Sequence, residues 1–170
     1  MSVHPQYTVE LAGVDEAVAI HNLIAVAGAR AYANWGEQTF AEWLQSMYSP
    51  EKIEERLRNP DIETYRIGSK ETPLATANLT MDGDVAVLGG LYCRNERVGL
   101  GTVLLQHRLD RARDLGAKLA RAIPIAPNKP AISFLHKHGF HIERQVRAGN
   151  RYGEDDPYAH LMVVDMELKL

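Results

Sequence analysis

Residues 85–93 (VAVLGGLYC) read as a strand, residues 95–105 (NERVGLGTVLL) open an apolar helix, and residues 118–125 (KLARAIPI) read as a strand again. Strand, helix and strand joined by short connections close as a parallel crossover, which is right-handed. That unit commits the chain to an α/β sheet. The helix is expected over residues 99–115, with Leu105, Leu109, Ala112 and Leu115 on one stripe and Gly116 as its stop. Its mouth carries Gly99 and Gly101, although glycine costs a helix about 1 kcal/mol relative to alanine.

Residues 7–11 (YTVEL) alternate like a strand, and from Asp15 to about Ala33 the residues Val18, Ile20, Leu23, Ile24 and Ala27 recur at helical spacing. Residues 40–48 and 49–57 read as two further helical pieces, the second with Ser49 as N-cap and Pro50 at its first position. Strands are expected over 63–68 and 74–81, with a turn at Asp82 to Asp84. A helix over 130–138 then precedes strands 140–147 and 160–168, which can pair antiparallel across a polar loop. The whole is a mixed α/β sheet in one domain, residues 1–170.

A chain of 170 residues with 45% hydrophobic side chains buries a substantial core in one such domain. The single cysteine, Cys93, excludes an intramolecular disulfide, and MSVHPQYTVEL has neither a basic segment nor a long apolar run. A soluble cytoplasmic protein with no membrane partner is expected. A net charge of −3 without a dense basic cluster argues against a nucleic-acid partner. The substrate expected is a small molecule or a protein.

A helix that starts directly after a strand points unpaired N–H groups and the positive end of its dipole into the crevice at the strand's end. Glycines at 99 and 101 would let a pyrophosphate touch those amides, with Arg97 adding charge. A Walker A loop would need Gly-Lys-Ser/Thr where the chain has Gly101-Thr102-Val103, and a dinucleotide fingerprint would need a third glycine at Leu104. Both fit poorly. Close helix–strand packing is the other reading of the glycines, and the motif alone leaves the two open.

Residues 91–105 (LYCRNERVGLGTVLL) followed by 126–140 (APNKPAISFLHKHGF) resemble the acetyl-CoA-binding half of the GNAT superfamily of N-acetyltransferases. That family's signature is Gln/Arg-x-x-Gly-x-Gly/Ala at a helix start, then Asn-x-x-Ala-x-x-x-Tyr-x-x-x-Gly-Phe about thirty residues later. The resemblance implies the order β-α-α-β-β-β-α-β-α-β-β with splayed central parallel strands. It implies acetyl-CoA as co-substrate, its pyrophosphate on Arg97, Val98, Gly99, Leu100, Gly101 and Thr102. Backbone of Leu91 and Cys93 would pair with the pantetheine arm, and Asn128 would lie beside the cofactor or N-cap its helix. A homodimer is compatible with this reading.

Three positions depart from the signature. Glu96 stands where the family has glutamine or arginine, Cys93 where proline is common, and Leu135 where many members carry the tyrosine that protonates the leaving thiolate. Expelling a cysteine-like thiol of pKa about 8.5 as thiolate at pH 7 is uphill by only about 2 kcal/mol. An amine of lysine-like pKa is free in about one molecule in a few thousand at that pH, so a general base matters more. The reaction expected is direct attack by a primary amine on the thioester, with Leu91 N–H polarising the carbonyl and water relaying the proton to an acid. Asp84 is the chosen acceptor, with Glu37, Asp155 and Asp156 as others, and Tyr92 a substitute proton donor. His136, His138 and His141 lack the spacing and companions of a metal site, so no metal is expected. Tyr32, Trp35, Trp43 and Tyr48 read as an acceptor entrance or as ordinary helix packing. A catalytically lapsed acyl-CoA-binding module is the alternative, raised by Leu135.

Leu135→Tyr should place a phenol at the leaving sulfur and raise turnover by at most about 10- to 30-fold, the ceiling set by the 2 kcal/mol above. Rate against pH with one amine acceptor checks this, and a smaller gain means that another group already serves the thiolate.

Overall fold

The computed structural model describes residues 7–156 and 158–170; residues 1–6 of the stretch read for a targeting segment lie outside them. The elements are β1 (Val9–Leu11), α1 (Ala17–Ala31), α2 (Glu37–Tyr48), α3 (Pro50–Arg58), β2 (Ile62–Gly68), β3 (Pro73–Asp82), β4 (Val85–Cys93), α4 (Leu100–Asp114), β5 (Leu119–Ala122), α5 (Lys129–Lys137), β6 (His141–Arg147), α6 (Ala148–Tyr152) and β7 (Met162–Lys169). The mixed α/β architecture is as expected, with three helices between β1 and β2. Helix α6 was not legible, because five residues leave no room for a periodic pattern. Among the described residues no helix is long and apolar enough to cross a membrane.

The sheet runs β1-β2-β3-β4-β5-β7-β6. Only β4 and β5 are parallel; β1–β4 form an antiparallel meander, and β7 runs antiparallel to both its neighbours. Local chemistry sets the ends of the elements. The Ser49 side chain accepts from Lys52 N with Pro50 at the first helical position, and Asn128 does the same for Ala131 N ahead of Pro130. Helix α4 stops where Gly116 takes φ 84° and Ala117 N reaches back to Ala112 O. Of the stripes read from sequence, Ile20, Leu23, Ile24, Ala27, Leu105, Leu109 and Ala112 are buried. Val18 and Leu115, 59% and 41% exposed, are not; Leu115 has already left the helix as its C-cap.

Two clusters form the interior. Leu100, Leu104, Leu105, Leu109 and Ala112 of α4 pack on Tyr65, Ile67, Leu79 and Leu88 of the sheet. Ala17, Ile20, Ile24, Trp43 and Ile53 from α1–α3 form the second, with Tyr92 of β4 against it. Burying these apolar chains supplies the main driving force, on the order of 25 cal/mol per Å². One buried ion pair ties the first strands to the helical layer. Arg66 Nε lies 2.6 Å from Glu16, whose side chain is 1% exposed, and its other nitrogens reach Glu10 at 2.7 Å and the Gly68 carbonyl.

Replacing Arg66 with Met strands the Glu16 carboxylate in the interior, so urea denaturation should report a loss of about 3–5 kcal/mol. A loss below about 1 kcal/mol would mean that solvent reaches Glu16 in the variant.

Candidate active site

Strands β4 and β5 pair only from Val85↔Leu119 to Leu88↔Ala122. Beyond that point β4 continues to Cys93, while the chain after β5 turns to β7 through the Ile125↔Val163 bridge and the Val164 N to Pro124 O bond. The two strands therefore splay into a fork. A cleft of about 1060 Å³ fills it, bordered by Gly89–Cys93, the start of α4, α5, and the aromatic residues of α2 and of the segment joining it to α1.

Helix α4 opens into this cleft. Its N-cap Gly99 has φ 86°, no side chain caps the helix, and Arg97 before it also sits in the left-handed region at φ 60°. The first amides of α4 are thus free of side-chain acceptors, and the glycines keep the approach open. A Cβ at Gly101 would rest in ordinary contact, 3.5 Å from the Phe134 ring. Space alone does not demand glycine there. Arg97, Gly99, Leu100, Gly101 and Thr102 all border the cleft; Val98 does not, being 44% exposed with its carbonyl 3.4 Å from the Tyr7 hydroxyl.

On the opposite wall, β4 carries an extra residue relative to β3: Asn78 pairs with Gly89 but Thr76 with Tyr92. Gly90 takes φ 42° in this bulge. Leu91 and Cys93 border the cleft on the α4 side, where the Leu91 side chain lies near Gly101. The Cys93 carbonyl already accepts from Arg30 at 2.6 Å. Burial pushes the Cys93 thiol up to about 11, so it is no thiolate at neutral pH. Asn128 borders the cleft while its Oδ1 caps α5 at 3.2 Å from Ala131 N.

Tyr92 projects from the other face of β4 into the aromatic layer. Its ring lies 5.4 Å from Tyr48 and 6.4 Å from Trp43, and Tyr32 stacks on Trp35 at 4.4 Å. Tyr158 faces Trp35 at 6.3 Å, closing the group from the late loop. Burial holds the Tyr92 phenol well above its ordinary range and pushes Tyr32 up to about 12. Both remain protonated at working pH.

Asp84 is not in this cleft. It sits in the β3–β4 turn at the closed end of the fork, exposed and 3.5 Å from Lys118 Nζ. Glu37 and Asp155 lie outside as well, whereas Asp156 borders the aromatic end, where its Oδ1 accepts from Tyr158 N at 2.7 Å. Of the three histidines, His138 borders the cleft, its Nε2 3.3 Å from Thr102 Oγ1. Among the described residues no three His, Cys, Asp or Glu side chains converge as metal ligands would. Arg30, Arg108, Phe134 and Tyr158 border the cleft unforeseen; only Arg108, a charge on the apolar stripe of α4, carried a signal in the sequence.

No curated protein matches the sequence significantly. Solved structures share the fold at low identity. PaiA N-acetyltransferase from Thermoplasma acidophilum, in complex with coenzyme A, superposes with a TM-score of 0.79 at 20% identity, covering 98% of this chain and 100% of its own. An N-acetyltransferase from Staphylococcus aureus Mu50 gives 0.74 at 11%, covering 97% and 98%. The ribosomal-protein-S18-alanine N-acetyltransferase from Escherichia coli gives 0.65 at 21%, covering 96% and 94%. The model of the acetyltransferase (GNAT) family matches residues 28–140, from the last turn of α1 to just past α5, with the late-loop residues Asp156 and Tyr158 beyond it. With well over half of its length so matched, the chain belongs to the GNAT family of acetyltransferases, enzymes of acyl transfer.

Proposed function

We propose that this enzyme binds acetyl-CoA along the fork and transfers the acetyl group to a primary amine within a ternary complex. The observation that carries the reading is the uncapped start of α4 opening beside a strand that has lost its parallel partner. The first feature suits a pyrophosphate, the second a pantetheine arm that adds to the free edge of β4. That a structural neighbour was solved with coenzyme A supports the same placement.

In this reading Arg97, Gly99, Leu100, Gly101 and Thr102 hold the pyrophosphate, with Val98 contributing backbone alone. Leu91 N–H, presented by the bulge, polarises the thioester carbonyl. Asn128 flanks the arm while capping α5. The amine enters from the aromatic end, where Tyr32, Trp35, Tyr48 and Tyr158 offer ring faces to a cationic or apolar body. Asp156, a carboxylate bordering that end, replaces Asp84 as the group that receives the amine's proton through water. Tyr92 and Tyr32, which keep their protons, act as hydrogen-bond donors there. Steady thiol release from acetyl-CoA with an amine panel supports the enzyme; cofactor binding without turnover for any amine would leave the lapsed module suggested by Leu135.

Gly101→Asp puts a carboxylate beside the pyrophosphate and should weaken acetyl-CoA binding more than tenfold, about 1.4 kcal/mol or more, by calorimetry. Gly101→Ala, which finds ordinary contacts, is the control and should bind. Equal affinity for the aspartate form would remove the phosphate site. Asp156→Asn should lower kcat/KM for the amine by about 10²-fold or more while acetyl-CoA affinity is unchanged. A rate within a factor of two of the parent would exclude Asp156 as the proton acceptor.

A further inference from the structure

Positions 105, 109 and 112 of α4 are apolar and buried, and the chain places Arg108 in the middle of them with a side chain 2% exposed. Its Nε donates to Leu104 O at 3.3 Å, and Nη1 donates to Asn78 O and Gly89 O at 3.0 Å each. Asn78 and Gly89 are the pair at which the β3–β4 register shifts. The bulge deflects the ladder there, and the guanidinium takes up the two carbonyls beside it. Nη2 makes no hydrogen bond among the described residues, and Arg108 borders the cleft.

Three carbonyl dipoles do not neutralise a buried charge, and such a charge is costly unless an anion meets it. Among the described residues none pairs with it. The titratable groups whose charge would reach Arg108 are Cys93 of β4 and Tyr65 of β2. Burial holds the Cys93 thiol up at about 11 and the Tyr65 phenol above its ordinary range, so both are neutral. Burial brings the guanidinium down to about 10, which leaves it charged at working pH. A ligand that places negative charge at this level of the cleft is therefore favoured.

Position along the cleft identifies that charge. Arg108 leaves α4 nine residues beyond the helix cap Gly99, and its guanidinium is held at Leu104 O and at the β3–β4 bulge rather than at the amides of the first turn. It contacts Gly89, two residues before Leu91, so it lies at the thioester end. We propose that Arg108 supplies the counter-charge for the coenzyme A thiolate as it departs, the function left open by a leucine at position 135. The inference rests on acyl-CoA occupying the fork. In the step, the amine nitrogen bonds to the acetyl carbon and the C–S bond breaks with its electron pair left on sulfur. The amine's proton passes through water to Asp156. The thiolate stays charged beside Arg108 until it leaves and takes a proton from solvent. Cys93, a thiol in the same wall, already feels this field: after burial, which raises it, the strongest influence on it is Arg108, which lowers it.

The test uses free coenzyme A and needs no acceptor. The ultraviolet absorbance of the bound thiolate is followed against pH in a Cys93→Ala background, with desulfo-coenzyme A as blank, for the parent, Arg108→Met and Arg108→Lys. Calorimetry establishes that each binds. The bound thiol should titrate at least one pH unit below free coenzyme A in the parent, a tenfold higher thiolate fraction at pH 7, and at or above the free value in Arg108→Met. Arg108→Lys, which keeps the charge but not the fork of donors, should retain part of the lowering. A parent-bound thiol no more acidic than free coenzyme A overturns the inference, whether or not the methionine form folds, and so does a lowering that survives in Arg108→Met. A parent that binds no coenzyme A overturns the acyl-CoA reading itself.

Discussion

The parallel pairing of β4 and β5 is the constraint on which the rest depends, because it must hold at one end and fail at the other. At the closed end, Val85 to Leu88 and Leu119 to Ala122 pair residue for residue beneath α4. At the open end the chain after Ala122 stays with β7, and β4 is left with an unpaired edge along the cleft. The geometry that creates the cleft thus also leaves a strand edge to which an extended, hydrogen-bonding segment could add.

The bulge in β4 has the same double character. One extra residue between Gly89 and Tyr92 leaves Leu91 bordering the cleft and disturbs the ladder with β3. Arg108 takes the carbonyls of Asn78 and Gly89 from below. The bulge is satisfied by a charged group where a neutral donor would have sufficed, and that choice sets the electrostatics of the cleft floor. Tyr92, the next residue along, turns to the opposite face and closes the aromatic layer over α1 and α2. One irregularity in one strand so divides the cleft into a side facing α4 and an aromatic side.

Chemistry divides along the same line. The aromatic side is rich in phenols that burial keeps protonated, and holds Asp156 as its carboxylate. The α4 side holds helix amides, Arg97 and Arg108. In the proposed reaction, which would consume an amine and release a thiolate, the carboxylate lies on one side and the positive charge on the other. On that proposal a proton donor at position 135 would be dispensable: a thiolate lies only about 2 kcal/mol from its neutral form at pH 7, within reach of one nearby opposite charge.

Much of this was legible in the chain. The strand–helix–strand unit, the Ser49 and Asn128 caps, the Gly116 stop and the glycine-marked mouth of α4 are local matters of periodicity and backbone preference, and local interactions settle them within a few residues. The family motifs, read beside them, pointed to the cofactor. Burial faces were legible along α1 and α4 except at Val18 and at Leu115, which lies past the last helical turn. What the sequence could not express was which carboxylate meets the cleft. Asp84 begins the strand that builds the site yet stands at its closed end, while Asp156, far along the chain, is brought to the open end by the loop before β7. The splaying that makes that difference appears where the chain after β5 keeps its pairing with β7 while its pairing with β4 ends, an interaction between segments about forty residues apart. Periodicity determined which segments are strands and helices; only tertiary pairing decided where the strands part, and therefore which side chains face the gap.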